Sequence, residues 1–339
     1  MMTWMQNHKW KVGVGIAGII LTILMGISEL PPRECCSPSP SEAHDDSLVF
    51  TGKLVFQSDP TDFTGHFVGI ATLNADGTNY QKLTDYFEDG DLQGYHPNSP
   101  VWSVDGEQIA FVADKNDAPS RLYIMNADGT GLTSIAESET GAFSSPSWSP
   151  NGDRIVYAFQ DNDDHELYIF DLVTNEIFQL TDNEYTDSSP AWSPDGEWIA
   201  FNADRDGDFE LYIVQPDGSE LLQMTDNQDS DSYPAWSPDG GQLAFVSDRE
   251  SNNAIYRMSV TDKQATHITN NSSALITGIT WSPDGDYIAY ADLMPTVDVD
   301  PQIITHPATG IFIVRVSDGD SQPLPYSFVG WNASPSWVE

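Results

Sequence analysis

Residues 189–201 of this chain, S-P-A-W-S-P-D-G-E-W-I-A-F, decide its fold. The octapeptide S-P-A-W-S-P-D-G around Trp192 returns, with small changes, around four other tryptophans: Trp102, Trp148, Trp236 and Trp281. Successive tryptophans in this series are 46, 44, 44 and 45 residues apart. A period of this length is typical of repeat architectures in which each repeat is one supersecondary unit.

Each repeat contains four short strand patterns and turns that suit hairpins. In the copy at 189–225, the octapeptide is followed by the apolar run Ile199–Phe201, a polar loop, Leu211–Ile213, an Asp217-Gly218 turn and a last strand that ends near Thr225. Proline presets φ in the S-P-D-G turn, and glycine supplies a positive φ. Asp-Gly is a strong signal for a two-residue hairpin turn. The repeat therefore predicts a four-stranded antiparallel meander.

Such meanders bury both faces when they stack radially as the blades of a propeller, with the tryptophans in the core between them. Three strand patterns at 53–56, 69–73 and 80–84 precede the first complete copy. The strand that this first blade lacks is found at the other end of the chain, in S-P-S-W-V at 334–338. We therefore predict an all-β, six-bladed propeller that its C-terminal strand closes, which also removes the exposed sheet edges of an open ring.

The pattern W-S-P-D-G-x-x-I-A-F, followed by L-Y, D-G and L-T, resembles the propeller repeats of the TolB-like family over residues 51–339. The resemblance implies a six-bladed propeller in an exported protein. TolB proteins also carry an N-terminal α/β domain, for which residues 28–50 are too short. Similar propellers precede the catalytic domain of some peptidases, but the G-x-S-x-G motif of those enzymes does not occur in this sequence.

The composition excludes several classes of function. With 13 basic and 52 acidic residues, the formal net charge is −39, which opposes binding to nucleic acid. Cys35 and Cys36, the two cysteines of the sequence, are adjacent and precede the repeats, so we expect no disulfide in the fold. The acidic surface favours solubility, cation binding, life in high salt or a basic partner.

The first fifty residues have the layout of an export signal. Lys9 and Lys11 precede Val12–Ile27, a run of apolar residues, glycines and one threonine. We predict a signal peptide or membrane anchor at 1–28, a Pro/Ser/Glu-rich linker at 29–50 and the propeller at 51–339. The protein is then exported to the periplasm, the cell surface or the extracellular space, released or anchored by residues 12–28, and contacts the membrane through that segment alone.

The variable loops on one side of the predicted ring carry most of the candidate functional residues. These loops join the second strand to the third and each blade to the next, and they are rich in acids. We expect a non-catalytic, monomeric binding scaffold whose protein partner is basic or cation-bridged. The alternative is a carbohydrate- or peptide-processing enzyme with a carboxylate site at the central pocket. Asp204, Asp206 and Asp208, at alternate positions around Gly207, form a candidate calcium site.

Overall fold

The computed structural model describes residues 50–59, 69–84, 92, 95–114, 119–161, 164–250, 252–269, 276–293, 309–324 and 331–339. These residues form six four-stranded antiparallel sheets, and all of them belong to the compact unit Val49–Glu339. The six-bladed propeller predicted from the repeats is thereby confirmed. The export segment 1–28 and the linker 29–50 lie outside the described residues, apart from Phe50. Among the described residues, no helix is long and apolar enough to cross a membrane.

The strands follow one another from the inner to the outer edge of each blade. Blades 1 and 2 consist of β24 (Trp331–Val338), β1 (Lys53–Asp59), β2 (Gly69–Asn74) and β3 (Gln81–Lys82), and of β4 (His96–Trp102), β5 (Gln108–Asp114), β6 (Ser120–Asn126) and β7 (Thr133–Ser138). Blades 3 and 4 consist of β8 (Gly141–Trp148), β9 (Arg154–Asp161), β10 (Asp164–Asp171) and β11 (Glu176–Gln179), and of β12 (Asp187–Trp192), β13 (Ile199–Ala203), β14 (Glu210–Val214) and β15 (Leu222–Gln223). Blades 5 and 6 consist of β16 (Asp231–Trp236), β17 (Gln242–Ser247), β18 (Ala254–Ser259) and β19 (Ala265–His267), and of β20 (Ile279–Trp281), β21 (Tyr287–Leu293), β22 (Thr309–Arg315) and β23 (Ser321–Pro323).

The C-terminal strand closes the ring as the sequence predicts. Strand β24 pairs with β1 in antiparallel register, with Leu54 opposite Trp337. The indole Nε1 of Trp337 donates a hydrogen bond to the Thr51 carbonyl at 2.9 Å. Trp337 also packs with residues of blades 1 and 6, including Leu54 and Ile313. The last strand therefore joins the two ends of the chain in one sheet and one core.

Each S-P-x-W segment makes a bulge in the inner strand of its blade. In blade 4 the register moves from Ser188 opposite Asn202 to Ala191 opposite Ala200, so one extra residue is accommodated. The residue before the proline has a φ near +50° in five blades, at Ser99, Ser145, Ser189, Tyr233 and Ser334. Blade 6 has Gly278 with a φ of +74° at this position. Register shifts of this kind occur in the inner strands of blades 1 to 5, whereas β20 of blade 6 pairs with β21 without one.

The S-P-D-G turns are held by a repeated set of side-chain hydrogen bonds. In blade 4, Ser193 Oγ donates to Asp195 Oδ1, and the N–H groups of Glu197 and Trp198 donate to Asp195 and Ser193. The hydroxyl and carboxylate thus satisfy the turn's own backbone donors, which explains why serine and aspartate recur there with the glycine. These turns give one end of the ring a short and uniform surface.

Candidate functional site

The opposite end of the ring, which we call the long-loop face, carries a concentrated negative charge on blades 3 to 5. Its members are nine exposed or half-buried carboxylates, here named the acidic arc: Asp182, Glu184, Asp204, Asp206, Asp208, Asp226, Asp229, Asp248 and Glu250. Between Asp164 and Ala254 the sequence has Arg205 and Arg249 as its only lysine or arginine residues. The arc is therefore strongly negative before any partner binds.

A buried polar cluster anchors the loop between blades 3 and 4. Glu166 on β10 accepts hydrogen bonds from the backbone N–H and the side-chain Nδ2 of Asn183. Asn183 Nδ2 also donates to Asp187 Oδ2 at 2.7 Å, and the Asp187 side chain is fully buried. Arg205, from the next blade, lies with its Nη2 3.7 Å from Asp187 Oδ1. We call these four residues the blade 3/4 cluster.

The same cluster recurs 44 residues later, between blades 4 and 5. Glu210 accepts from the N–H and Nδ2 of Asn227, which also donates to Asp231 Oδ2 at 2.9 Å. Arg249 Nη2 lies 2.9 Å from both carboxylate oxygens of Asp231. Buried carboxylates need such hydrogen bonds and ion pairs to be tolerated in the interior. These four residues form the blade 4/5 cluster.

The two clusters differ in how closely the arginine approaches the buried aspartate. In the blade 3/4 cluster, Asp187 Oδ1 and Arg205 Nε are buried and have no hydrogen-bond partner among the described residues. The Arg205 guanidinium instead lies over the rings of Tyr185 and Tyr212, 5.3 and 4.7 Å from their centroids. Arg249 combines its ion pair with contacts to the Phe245 and Tyr256 rings. Both arginines thus hold a loop by charge and by stacking on aromatic rings.

Burial in these clusters shifts the pKa of several carboxyl groups upward. The pKa of Glu210 rises to about 7, mainly because burial penalises its charged form, with further contributions from the negative charges of Asp231 and Asp208. Burial also raises the pKa of Asp187, although the hydrogen bond from Asn183 and the charge of Arg205 oppose the shift. Both of these carboxyl groups lie at the long-loop face.

The candidate calcium ligands lie on the loop between β13 and β14, within the acidic arc. Asp204 Oδ1 accepts the backbone N–H of Thr186 at 3.0 Å, and Asp248 makes the same contact with Ser230 one blade later. The pKa of Asp208 is raised, first by partial desolvation and then by the charge of Asp206. Among the described residues, no three His, Cys, Asp or Glu side chains form a group that could hold a metal ion. Calcium binding at these three carboxylates stays a prediction.

A cavity of about 580 Å³ occupies the centre of the ring at the end that carries the S-P-D-G turns. The S-P-x-W or Y-P-x-W segments of blades 1 to 5 and residues 278–282 of blade 6 line it with serine, proline, indole and backbone groups. Glu339 is the one residue with a charged side chain among the described residues of this lining. The central cavity and the acidic arc are therefore two separate surfaces with different chemistry.

Sequence reasoning placed Asp204, Asp206 and Asp208 on the loop where the structure has them, between β13 and β14, but missed the two buried clusters. A signal for them was present, because each pair of equivalent residues repeats at the spacing of Trp192 and Trp236: Glu166 and Glu210, Asn183 and Asn227, Asp187 and Asp231, Arg205 and Arg249. In a chain with 52 acids, however, no acidic residue stands out by type. Only the folded loops distinguish the buried carboxylates from the exposed ones beside them.

Sequence comparison identifies the family to which this architecture belongs. The model of the TolB beta propeller domain matches residues 47–225 and 121–303, so the chain belongs to the TolB β-propeller family. A curated relative, the Tol-Pal system protein TolB of Ruthia magnifica subsp. Calyptogena magnifica, is 34% identical over 83 residues. That match covers 24% of this chain and 19% of the relative, so the chain matches only about a fifth of that protein's length.

Solved structures with the same fold include a TolB protein and an enzyme. TolB from Acinetobacter baumannii matches with a TM-score of 0.71 at 19% identity, over 85% of this chain and 67% of that one. An oligogalacturonate lyase from Vibrio parahaemolyticus matches with a TM-score of 0.52 at 16% identity, over 76% and 71% of the two chains. At these identities the likeness establishes the fold and leaves the activity open.

Proposed function

We propose that the protein is a non-catalytic, exported scaffold that binds a basic protein partner through the acidic arc of its long-loop face. The observation that carries this proposal is the combination of nine carboxylates with two nearby arginines that already face the buried Asp187 and Asp231. An incoming cationic surface would meet uncompensated negative charge there. Complementary charge of this kind accelerates association and selects partners.

The buried clusters support this function because they hold the arc in place. Asn183 and Asn227 connect a strand of one blade to the loop that leads to the next. Asp204 and Asp248 each accept a backbone N–H from the same pair of loops. A loop fixed at both ends loses little conformational entropy on binding, so the exposed acids beside these anchors are preorganised for a partner.

The enzyme alternative is less well supported by the distribution of carboxyl groups. A carbohydrate- or peptide-processing site would bring carboxyl groups with raised pKa into the central cavity. The raised pKa values of Asp187, Asp208 and Glu210 belong instead to the long-loop face, whereas serine, proline and tryptophan dominate the cavity lining. The two features that an active site would combine are therefore on different surfaces, which favours binding over catalysis.

The test compares charge removal on the two ends of the ring. Binding of an oligolysine peptide to the full-length protein is measured by calorimetry for the parent and for the triple variant Asp182→Asn, Glu184→Gln, Asp226→Asn. The control triple, Glu107→Gln, Glu197→Gln, Asp286→Asn, removes the same charge beside the S-P-D-G turns, where these side chains are also exposed. We expect the arc variant to bind about tenfold more weakly than the control at low salt. Equal weakening by both triples would mean that net charge alone drives binding, and the proposal would fail.

The cation-bridged form of the proposal is tested in the same assay. Calcium is titrated into the chelator-treated parent and into the double variant Asp204→Ala, Asp206→Ala. Saturable uptake in the micromolar to millimolar range that the variant loses would support calcium at Asp204, Asp206 and Asp208. Equal and weak uptake by both proteins would show that these carboxylates act as surface charge without calcium.

A further inference from the structure

The outer edges of blades 3 and 4 differ from the rest of the described surface because they are apolar. Nine large hydrophobic side chains are exposed among the described residues, and five of them lie on the outer parts of blades 3 and 4: Val173, Ile177, Phe178, Leu221 and Leu222. Ile177 and Phe178, on β11, are 55% and 49% exposed. An added Cβ on Gly218 of blade 4 would lie 3.4 Å from the Leu180 carbonyl, so the two segments adjoin. Exposed apolar patches in a soluble, acidic protein commonly mark interaction sites.

The backbone of β11 also presents hydrogen-bonding groups to the outside. Leu180 donates its N–H inward to the Leu167 carbonyl, and β11 runs antiparallel to β10 with Phe178 opposite Ile169. The backbone N–H and C=O groups of alternate residues point to opposite sides of a strand. Those of Phe178, like those of Leu180, therefore face β10, whereas those of Ile177 and Gln179 point away from the blade. An outer strand with this geometry can accept a further strand.

The corresponding strands of blades 1, 4 and 6 carry features that discourage such pairing. At the position equivalent to Gln179, blade 1 has Lys82 and blade 6 has Pro323. In blade 4 the equivalent residue is Gln223, whose carbonyl accepts a hydrogen bond from Lys263 of blade 5. Edge lysines and prolines are devices by which sheet proteins prevent edge-to-edge association. Blade 6 has Ser321 and Gln322 where blade 3 has Ile177 and Phe178. Blade 3 thus combines an open edge with apolar side chains.

We propose that β11 accepts an extended, basic and apolar segment of a partner protein as a fifth strand of blade 3. The charge around the edge selects this occupant, since Glu176 precedes the apolar pair and Asp182 and Glu184 follow it. No lysine or arginine occurs between Arg154 and Arg205. A second copy of this chain, with its own formal charge of −39, would be repelled at the same edge. This edge borders the acidic arc, which contributes Asp182 and Glu184, but strand addition to β11 does not depend on the function proposed for the arc.

The test uses a variant that copies the edge of blade 6 into blade 3: Ile177→Ser, Phe178→Gln, Gln179→Pro. This sequence already occupies the same position of the ring at Ser321–Pro323, and the proline removes an outward-facing N–H only. The probe is a fluorescent peptide of alternating valine and threonine flanked by lysines, with binding to the full-length protein followed by anisotropy. We expect saturable binding to the parent and at least about tenfold weaker binding to the variant.

Two controls separate strand addition from general charge attraction. The triple variant Asp182→Asn, Glu184→Gln, Asp226→Asn lowers affinity for the peptide through charge and reports on the acidic arc. The second control is the same peptide with alternate backbone nitrogens methylated, which keeps its charge and side chains and prevents ladder hydrogen bonds. Methylation should abolish binding to the parent even if the blade 6 copy does not fold. Equal binding of both peptides, no saturable binding by the parent, or a dimer of the parent that the edge variant loses would each overturn the proposal.

Discussion

At the scale of single residues, Glu210 is the group whose ionisation has the clearest structural consequence. Its side chain is fully buried and accepts hydrogen bonds from Asn227, which also holds Asp231. Burial raises its pKa to about 7, far above the value of an exposed glutamate. Near neutral pH the folded state therefore holds a proton that the unfolded chain has already released. Ionisation of Glu210 opposes folding, and it places a second negative charge beside Asp231.

Replacement of Glu210 by glutamine should reduce the pH dependence of stability. A carboxyl group whose pKa is raised on folding stabilises the fold at low pH, and this contribution is lost as the pH rises from about 4.5 to about 7. Over that window we expect the free energy of unfolding of the parent to fall by about 1–3 kcal/mol more than that of Glu210→Gln. Thermal unfolding at several pH values measures the difference, with the exposed Glu197→Gln as control. Parallel pH profiles for the parent and Glu210→Gln would contradict the prediction.

The role of some acidic residues could be predicted from the sequence, and the role of others could not. The aspartates of the S-P-D-G turns were predictable in role, since Asp195 needs only its local turn to find its hydrogen-bond donors. Asp187 and Glu210 depend on groups from different strands and loops, which the repeat spacing does not bring together without the closed ring. The role of a residue within a local turn can therefore be predicted from the sequence, whereas the partners of a buried carboxylate are defined only by the tertiary structure.

At the scale of strands, the C-terminal strand carries more of the architecture than its short length suggests. Trp337 packs between blades 1 and 6, and its indole reaches the Thr51 carbonyl. The Ser336 hydroxyl accepts the backbone N–H of Trp102 in blade 2 at 3.1 Å. The last residues of the chain thus contact three blades, and their sequence pattern was sufficient to predict this closure. The bulge before each proline was not predictable, because serine in a left-handed conformation is rare and only the curvature of the inner strands requires it.

Removal of residues 334–339 should open the ring and destabilise it strongly. The truncation deletes Trp337 and exposes the edge of β1, so we expect aggregation or a large fall in melting temperature. The milder variant Trp337→Ala removes the indole alone and should lower the melting temperature by roughly 10 °C. Deletion of Glu339, which is exposed, serves as the control. A truncated protein that melts within a few degrees of the parent would show that closure by the tail contributes little.

At the scale of the whole molecule, the fold was predictable and the function only in outline. Five tryptophan-centred repeats and a sixth fragment were sufficient for the blade count and for closure. The acidic arc followed from the order of the strands, which places loops of one kind at one end of the ring. The apolar edge of blade 3 could not be predicted from the sequence, because Ile177 and Phe178 occupy strand positions that would be buried in most sheets. Only their place at the rim, without a further strand outside them, leaves them exposed.

The protein as a whole should lie outside the cytoplasm, where its acidic arc can meet an external partner. Lys9 and Lys11 before the apolar run at 12–27 are typical of an export signal with its N-terminus in the cytoplasm. A reporter that is active only in the cytoplasm, fused after Glu339, should therefore give no signal. Deletion of residues 1–28 from the same fusion should restore the signal, because the propeller sequence at 51–339 contains no second run of this kind. If the full-length fusion were as active as the deleted one, export and an external partner would both be excluded.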